Sequence, residues 1–184
     1  SKTLLEHGEK AHNIRVTNDW GITTKDLGID FTQFVQLKKK VVQTLTGGVK
    51  QLLKKNKVTY IEGEARISKN LKVDVNNETY QAKDIILATG SQPFIPPIDG
   101  LDQVNYETTD TFFDLEKLPK QLAVIGGGVI ATELASSMAD LGVRVTIIEV
   151  ADDILLTEIN ETREMLKAHL DNQGIKILTK AKIK

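Results

Sequence analysis

The feature that most constrains this chain is the run Val124-Ile125-Gly126-Gly127-Gly128-Val129-Ile130-Ala131-Thr132-Glu133, with Glu149 following 23 positions after Gly126. Residues 122–125 read as a strand and residues 129–141 as a helix. A chain that turns from strand to helix this sharply needs glycine at the turn, which is Gly126. Gly128 leaves the backbone N–H groups at the helix start open to an anion, because no Cβ stands in the way. Ala131 is small enough for the helix to lie close on the strand. Residues 143–148 form a second strand that ends at Glu149. Strand, glycine turn, helix, strand and terminal acid together are the pattern of a βαβ unit that holds a dinucleotide. The competing interpretation is a glycine-rich packing turn with Glu149 as a solvated strand end.

The acid also discriminates between dinucleotides. A carboxylate accepts hydrogen bonds from ribose hydroxyls and repels a 2′-phosphate, and no Arg follows in Val150-Ala151-Asp152-Asp153. NAD is expected rather than NADP, although Ala131 points mildly the other way. A further helix over 158–172 and a strand over 175–179 continue the alternation, which predicts a parallel sheet with right-handed crossovers.

The first two thirds of the chain read differently. Leu4, Leu5, Gly8, Ala11 and His12 recur at helical spacing, predicting a helix over 2–14 with Ser1 as its cap. Residues 15–29 carry no period and read as loop. Asp30 then caps a long amphipathic helix whose apolar face is Phe31, Phe34, Val35, Val41, Val42, Leu45, Val49, Leu52 and Leu53. Gly47-Gly48 costs this helix about 1 kcal/mol per glycine, marking a weak point or a close packing contact. Strands are expected at 58–62, 65–68, 71–75 and 79–82, with turns at Asn70 and Asn76-Asn77, giving an antiparallel meander. Residues 84–88 have a buried-strand pattern that runs into Thr89-Gly90-Ser91. Three of the four prolines fall in 93–100, an extended connection and the start of a boundary region reaching Pro119.

Composition closes off other classes. The 184 residues include no cysteine, which excludes disulfide scaffolds and cysteine-ligated zinc modules. Lys and Arg number 24 against 25 Asp and Glu, so bulk electrostatics do not favour nucleic acid. The lysine runs at 38–40 and 54–57 read as the wet faces of helices. His7, His12 and His169 are scattered and form no ligand spacing, so no metal site is expected. Asp152-Asp153, Glu161 and Glu164 read as helix-start and surface charge. No stretch approaches the roughly 20 apolar residues of a membrane span, and no secretory leader is expected at the start. The expected compartment is the cytoplasm.

Four segments together carry a resemblance over nearly the whole chain: Ser1-Lys2-Thr3-Leu4-Leu5, Tyr60-Ile61-Glu62-Gly63-Glu64-Ala65, Ile86-Leu87-Ala88-Thr89-Gly90-Ser91-Gln92-Pro93, and the glycine run. The chain resembles the FAD-dependent pyridine nucleotide-disulfide oxidoreductases, and within them the branch that oxidises dihydrolipoyl groups with NAD+. The fold this implies is α/β: a partial FAD-binding domain with a β-meander over 1–115, and the first half of a Rossmann-type NAD-binding domain over 116–184. The resemblance implies an internal segment, since the family's redox pair lies in a Cys-x4-Cys-x-Pro-Ser-Lys stretch and this chain opens at the Ser-Lys.

The same resemblance assigns sites. It puts Lys2 near the flavin and paired with Glu133, and has Ala65, Thr89, Gly90 and Ser91 contact FAD. Gly126, Gly127, Gly128, Val129, Ile130, Ala131, Thr132, Glu133, Glu149 and Ile183 should line the NAD site. Val129 stands where glutathione reductases carry a Tyr, and Glu149 where those NADP enzymes lack an acid. The implied partners of the complete protein are a lipoyl domain of a 2-oxo acid dehydrogenase complex and a second copy in a homodimer. The segment alone is expected to be inactive. A mercuric reductase relative, or a catalytically silent nucleotide-binding module, remains the alternative.

Overall fold

The computed structural model describes residues 1–17, 22–23 and 27–183. The expected loop over 15–29 falls partly outside these residues. The chain divides into two compact units, Ser1–Lys39 with Ile95–Lys184, and Lys40–Phe94.

The first unit contains α1 (Lys2–Arg15), the start of α2 (Phe31–Lys55), β4 (Gln121–Ile125), α3 (Val129–Asp140), β5 (Arg144–Ile148), α4 (Asn160–Asn172) and β6 (Lys176–Leu178). β4, β5 and β6 form a parallel sheet in that order, with Val124 opposite Ile147 and Ile147 opposite Ile177. The expected alternation is present, with boundaries shifted by one or two residues, the usual fraying of element ends. Met138, Ile147, Ile154 and Leu170 are sealed from solvent between sheet and helices. α1 packs on α3. Gly8 makes this possible, since a Cβ there would stand 3.0 Å from the Ser137 carbonyl oxygen.

Around that contact Asp140 is a hub. Its carboxylate lies 3.3 Å from His12 Nδ1 and accepts from Gln173 Nε2 at 2.8 Å, and its carbonyl accepts from Arg15. His7 stacks on Phe34, 4.9 Å between ring centroids. Ser1 makes no side-chain cap, so the expected one is not formed; its carbonyl accepts from Leu4 and Leu5 N–H instead. Asp30 does cap α2, its carboxylate accepting from Thr32 and Gln33 N–H at 3.0 and 3.2 Å.

The second unit holds the remainder of α2 and an antiparallel sheet of β1 (Arg66–Ser68), β2 (Lys72–Val75) and β3 (Glu78–Gln81). Asn76 and Asn77, both left-handed at φ 51° and 63°, close the β2–β3 hairpin between paired Val75 and Glu78. Two positive φ values in a two-residue loop are what a twisted hairpin requires, and Asn tolerates them. α2 runs unbroken through Gly47-Gly48, and nothing lies within 4 Å of a Cβ built at either glycine, so they are not a close packing contact.

Three expectations fail in this unit. Residues 58–62 are not a strand, and residues 84–88 are neither strand nor buried: Ile86 is 90% exposed. A strand exists only by pairing its N–H and C=O groups, and no strand of the described residues pairs with either segment. The apolar stripe of α2 is buried only at Phe31 and Phe34, whereas Val42, Leu45, Val49 and Leu52 are exposed.

Candidate functional site

At the end of β4 the chain reverses at Gly126, whose φ of 105° only glycine adopts easily and whose N–H donates to the Ile148 carbonyl at 2.8 Å. Gly128 is extended, N-terminal to the first residue of α3, with nothing within 4 Å of a Cβ built on it. The first N–H groups of a helix have no intrahelical acceptor, and they carry the positive end of its dipole. The space over Gly128 is therefore room for an anion.

Gly127, to which spacing assigns no role of its own, is the tightest of the three. A Cβ there would stand 2.5 Å from Ile154 Cγ2 and 3.2 Å from Glu149 Oε2. Its N–H donates to Glu149 Oε2 at 2.6 Å, while Glu149 Oε1 accepts from Ala151 N–H at 2.8 Å. A carboxylate has about four acceptor positions, so each oxygen keeps a lone pair for a ligand hydroxyl. Glu149 is fixed at the glycine turn and still able to accept.

A cleft of about 220 Å³ opens beside this carboxylate, lined by Pro96, Ile98, Ile125, Gly126, Ile148, Glu149, Val150 and Ile183. Ile183 arrives because pairing continues beyond β6: Glu149 N–H donates to the Leu178 carbonyl and Ala181 N–H to the Glu149 carbonyl. The expected Gly126, Glu149 and Ile183 lie together here, and they are joined by Pro96, Ile98, Ile125, Ile148 and Val150, to which the sequence assigns no site role. The isoleucines among the prolines were the available signal, since a connection that only spans has no need of them. The cleft is smaller than the roughly 300–1,000 Å³ of pockets for drug-sized ligands, so it suits one end of a dinucleotide. An open helix start and a tethered acid beside an apolar cleft fit the pyrophosphate and ribose of a dinucleotide.

On α3, Val129 and Ile130 are exposed, Ala131 is half-buried and Thr132 is buried with its hydroxyl donating to the Val129 carbonyl at 2.9 Å. Glu133 and Lys2 are both exposed, and no ion pair joins them. The expected pair is therefore corrected: carboxylate and ammonium are each solvated, and exposed charges gain little by meeting.

The expected flavin contacts lie in both units. Lys2 belongs to the first; Ala65, Thr89, Gly90 and Ser91 belong to the second, all exposed there. Gly90 is left-handed at φ 74°. Ala65 lines an open groove of about 560 Å³ together with Thr59, Tyr60, Ile61, Gly63, Val73, Val75 and Tyr80. Within the second unit these residues lie open to solvent along the groove and enclose no cradle by themselves.

In the loop after β5, Asp153 accepts from Arg163 at 3.2 Å and Lys167 at 3.0 Å. The Lys167 hydrogen bond leads the effects that hold its carboxyl below the usual range, against the opposing cost of its burial. The expectation of plain surface charge is thus corrected for Asp153. No group of metal-ligating residues occurs among the described residues, and no helix there is long and apolar enough to cross a membrane.

The chain is similar to the dihydrolipoyl dehydrogenases of Acholeplasma laidlawii, 37% identical over 190 residues, and Mycoplasma genitalium, 38% over 188. Both alignments take in 100% of this chain, but 56% and 41% of those relatives. The chain thus spans about half the length of the curated relatives it matches. Among solved structures it is similar to the HOCl-induced flavoprotein disulfide reductase RclA from Escherichia coli, with a TM-score of 0.80 at 27% identity, over 100% of this chain and 39% of that one. The sequence profile of the pyridine nucleotide-disulphide oxidoreductases, whose members use FAD and NAD(P), matches residues 1–184. With a glycine turn, a tethered acid and a match from first residue to last, the chain belongs to the pyridine nucleotide-disulphide oxidoreductase family.

Proposed function

We propose that the chain is a segment of a flavoprotein that oxidises dihydrolipoamide with NAD+, with residues 1–115 serving FAD and residues 116–184 serving NAD. The observation that carries the nucleotide half is Glu149, bound to Gly127 N–H and facing the cleft. NAD+ supplies the hydride acceptor when bound. The residues of this chain do the holding: the start of α3 presents N–H groups to the pyrophosphate, and Glu149 accepts from the ribose hydroxyls of the adenosine end. The apolar walls of the cleft exclude water from one face of that end.

The substrate half is supported by the relatives at 37 and 38% identity, which are named dihydrolipoyl dehydrogenases. The matching partners for the complete protein are a lipoyl domain of a 2-oxo acid dehydrogenase complex and a second copy in a homodimer, in the cytoplasm. A second interpretation, another flavoprotein disulfide reductase, is favoured by the likeness to RclA. The chain has no thiol, so it does no dithiol chemistry by itself.

Calorimetric titration of the chain should show NADH binding more tightly than NADPH. Glu149→Arg should weaken NADH about tenfold, the loss of a hydrogen bond to a charged group, and shift preference toward NADPH. Equal affinity of the unaltered chain for both nucleotides overturns NAD preference. The complete protein should show flavin absorbance bleached by NADH and should reduce NAD+ with dihydrolipoamide. Turnover of another disulfide but not of dihydrolipoamide selects the second interpretation, and a colourless protein removes both.

A further inference from the structure

We infer that Asp153 is a positioning residue for the dinucleotide turn, held in place by Arg163 and Lys167 of α4; the inference rests on the NAD site proposed above. The Gly127 peptide is gripped from both sides. Its N–H donates to Glu149 Oε2 at 2.6 Å, and its carbonyl accepts from Leu155 N–H at 2.8 Å. Between these bonds the fully buried Ile154 side chain fills the place where a Cβ at 127 would be. The turn that offers Leu155 N–H is an unfavourable one, because Leu155 is left-handed at φ 54°. A non-glycine residue stays in that region only where its surroundings impose it.

Asp153 supplies the imposition. Its Oδ1 accepts from Ile154 N–H at 2.9 Å, and its Oδ2 accepts from Arg163 at 3.2 Å and Lys167 at 3.0 Å. Arg163 is itself fixed, since its other terminal nitrogen donates to Asn160 Oδ1 at 3.0 Å. Both cations stand on α4, so the loop after β5 is tied to a helix as well as to the sheet. Gly127 is one residue from Gly128, and its N–H also anchors Glu149. The Asp153 cluster therefore sets two things together: where the α3 N–H groups meet a pyrophosphate, and where the acid meets a ribose.

The test is NADH titration of Asp153→Asn and Lys167→Met, with Asp152→Asn as a charge-matched control. Asp152 is in the same loop, 84% exposed, and among the described residues pairs only with Lys180, at 3.6 Å. The expected result is a Kd for NADH raised about threefold to tenfold in Asp153→Asn and less in Lys167→Met, the size expected when one hydrogen bond is removed from a coupled network. Asp152→Asn should be unchanged. Amide hydrogen exchange at Leu155, measured without nucleotide, should quicken in Asp153→Asn and not in the control, which separates loosening of the grip from general destabilisation. If Asp153→Asn does not fold, Lys167→Met keeps both readouts. An unchanged Kd in variants of a chain that binds NADH overturns the inference alone, as does an equal loss in Asp152→Asn. A wild-type chain that binds no NADH overturns the NAD site and the inference with it.

Discussion

The two units of this chain are folded by different means. Residues 1–39 with 95–184 enclose a core in which Met138, Ile147, Ile154 and Leu170 are sealed from solvent, and the glycine turn is built directly on it. Residues 40–94 bury one side chain, Val75. Their sheet is specified by turns and pairing: the Asn76-Asn77 hairpin, Asn76 donating to the Glu62 carbonyl, and Thr79 donating to Asp74. A hairpin or short meander without a hydrophobic face against it is marginal in water. The comparison teaches that precision at a ligand site comes from what lies beneath it. Glu149 and Gly127 have Ile154 under them, whereas Ala65 and Thr89 have no comparable support within their own unit.

The largest effect that sharpens this contrast is expected from Ile147→Ala. Deleting a fully buried side chain next to the turn should cost about 3 kcal/mol in urea unfolding, with NADH binding lost as the sheet loosens. Amides of β2 and β3 should keep their exchange rates, and a matching change there would break the division into two units. Next in size is Asn77→Val, which forces a β-branched residue into a left-handed position at a cost of about 1–2 kcal/mol. It should appear as faster exchange across β2 and β3 with NADH affinity intact. Gly48→Ala, in open space within α2, should stabilise by about 0.5–1 kcal/mol, read as a higher unfolding midpoint.

The smallest expected effect is acid sensitivity confined to the first unit. Burial, aided by Lys10, holds the His7 imidazole below its ordinary 6.5, so the folded state resists protonating it. Its contribution is complete above pH 6.5 and is lost as the pH falls through the lowered value. Asp153 follows at lower pH: its contribution is present above the ordinary 3.8 and lost as the pH falls through its depressed value. Unfolding midpoints at pH 7.5 and 5.5 should differ less in His7→Phe than in the unaltered chain. If mild acid instead frees amides of residues 40–94 first, the contrast fails.

Much of the candidate site was legible. The strand, glycine turn, helix and acid are local in sequence, and each is demanded by the turn's own geometry, so Gly126, Gly128 and Glu149 could be named from spacing alone. Gly127 could not, because the side chain that excludes a Cβ there is Ile154, 27 residues on. Pro96 and Ile98 reach the cleft from the extended connection, where the isoleucines among the prolines are the one local hint. The strand expected at 84–88 failed for a related reason. Its apolar pattern records a preference for being buried, and burial depends on a partner that the pattern does not contain.

The sequence by itself determined the parallel βαβ order, the Asn-Asn hairpin, the Asp30 cap and the acid at the end of β5, because each follows from backbone conformation or from side chains a few residues apart. Tertiary structure decided the rest: that Glu149 is tethered to Gly127, that Ile154 and Leu155 grip the same peptide, that Asp153 is bound to α4, and which apolar faces stay uncovered. Such contacts join residues distant in sequence. Whether two of them meet within 3 Å is fixed only when the sheet and helices have packed and excluded water between them.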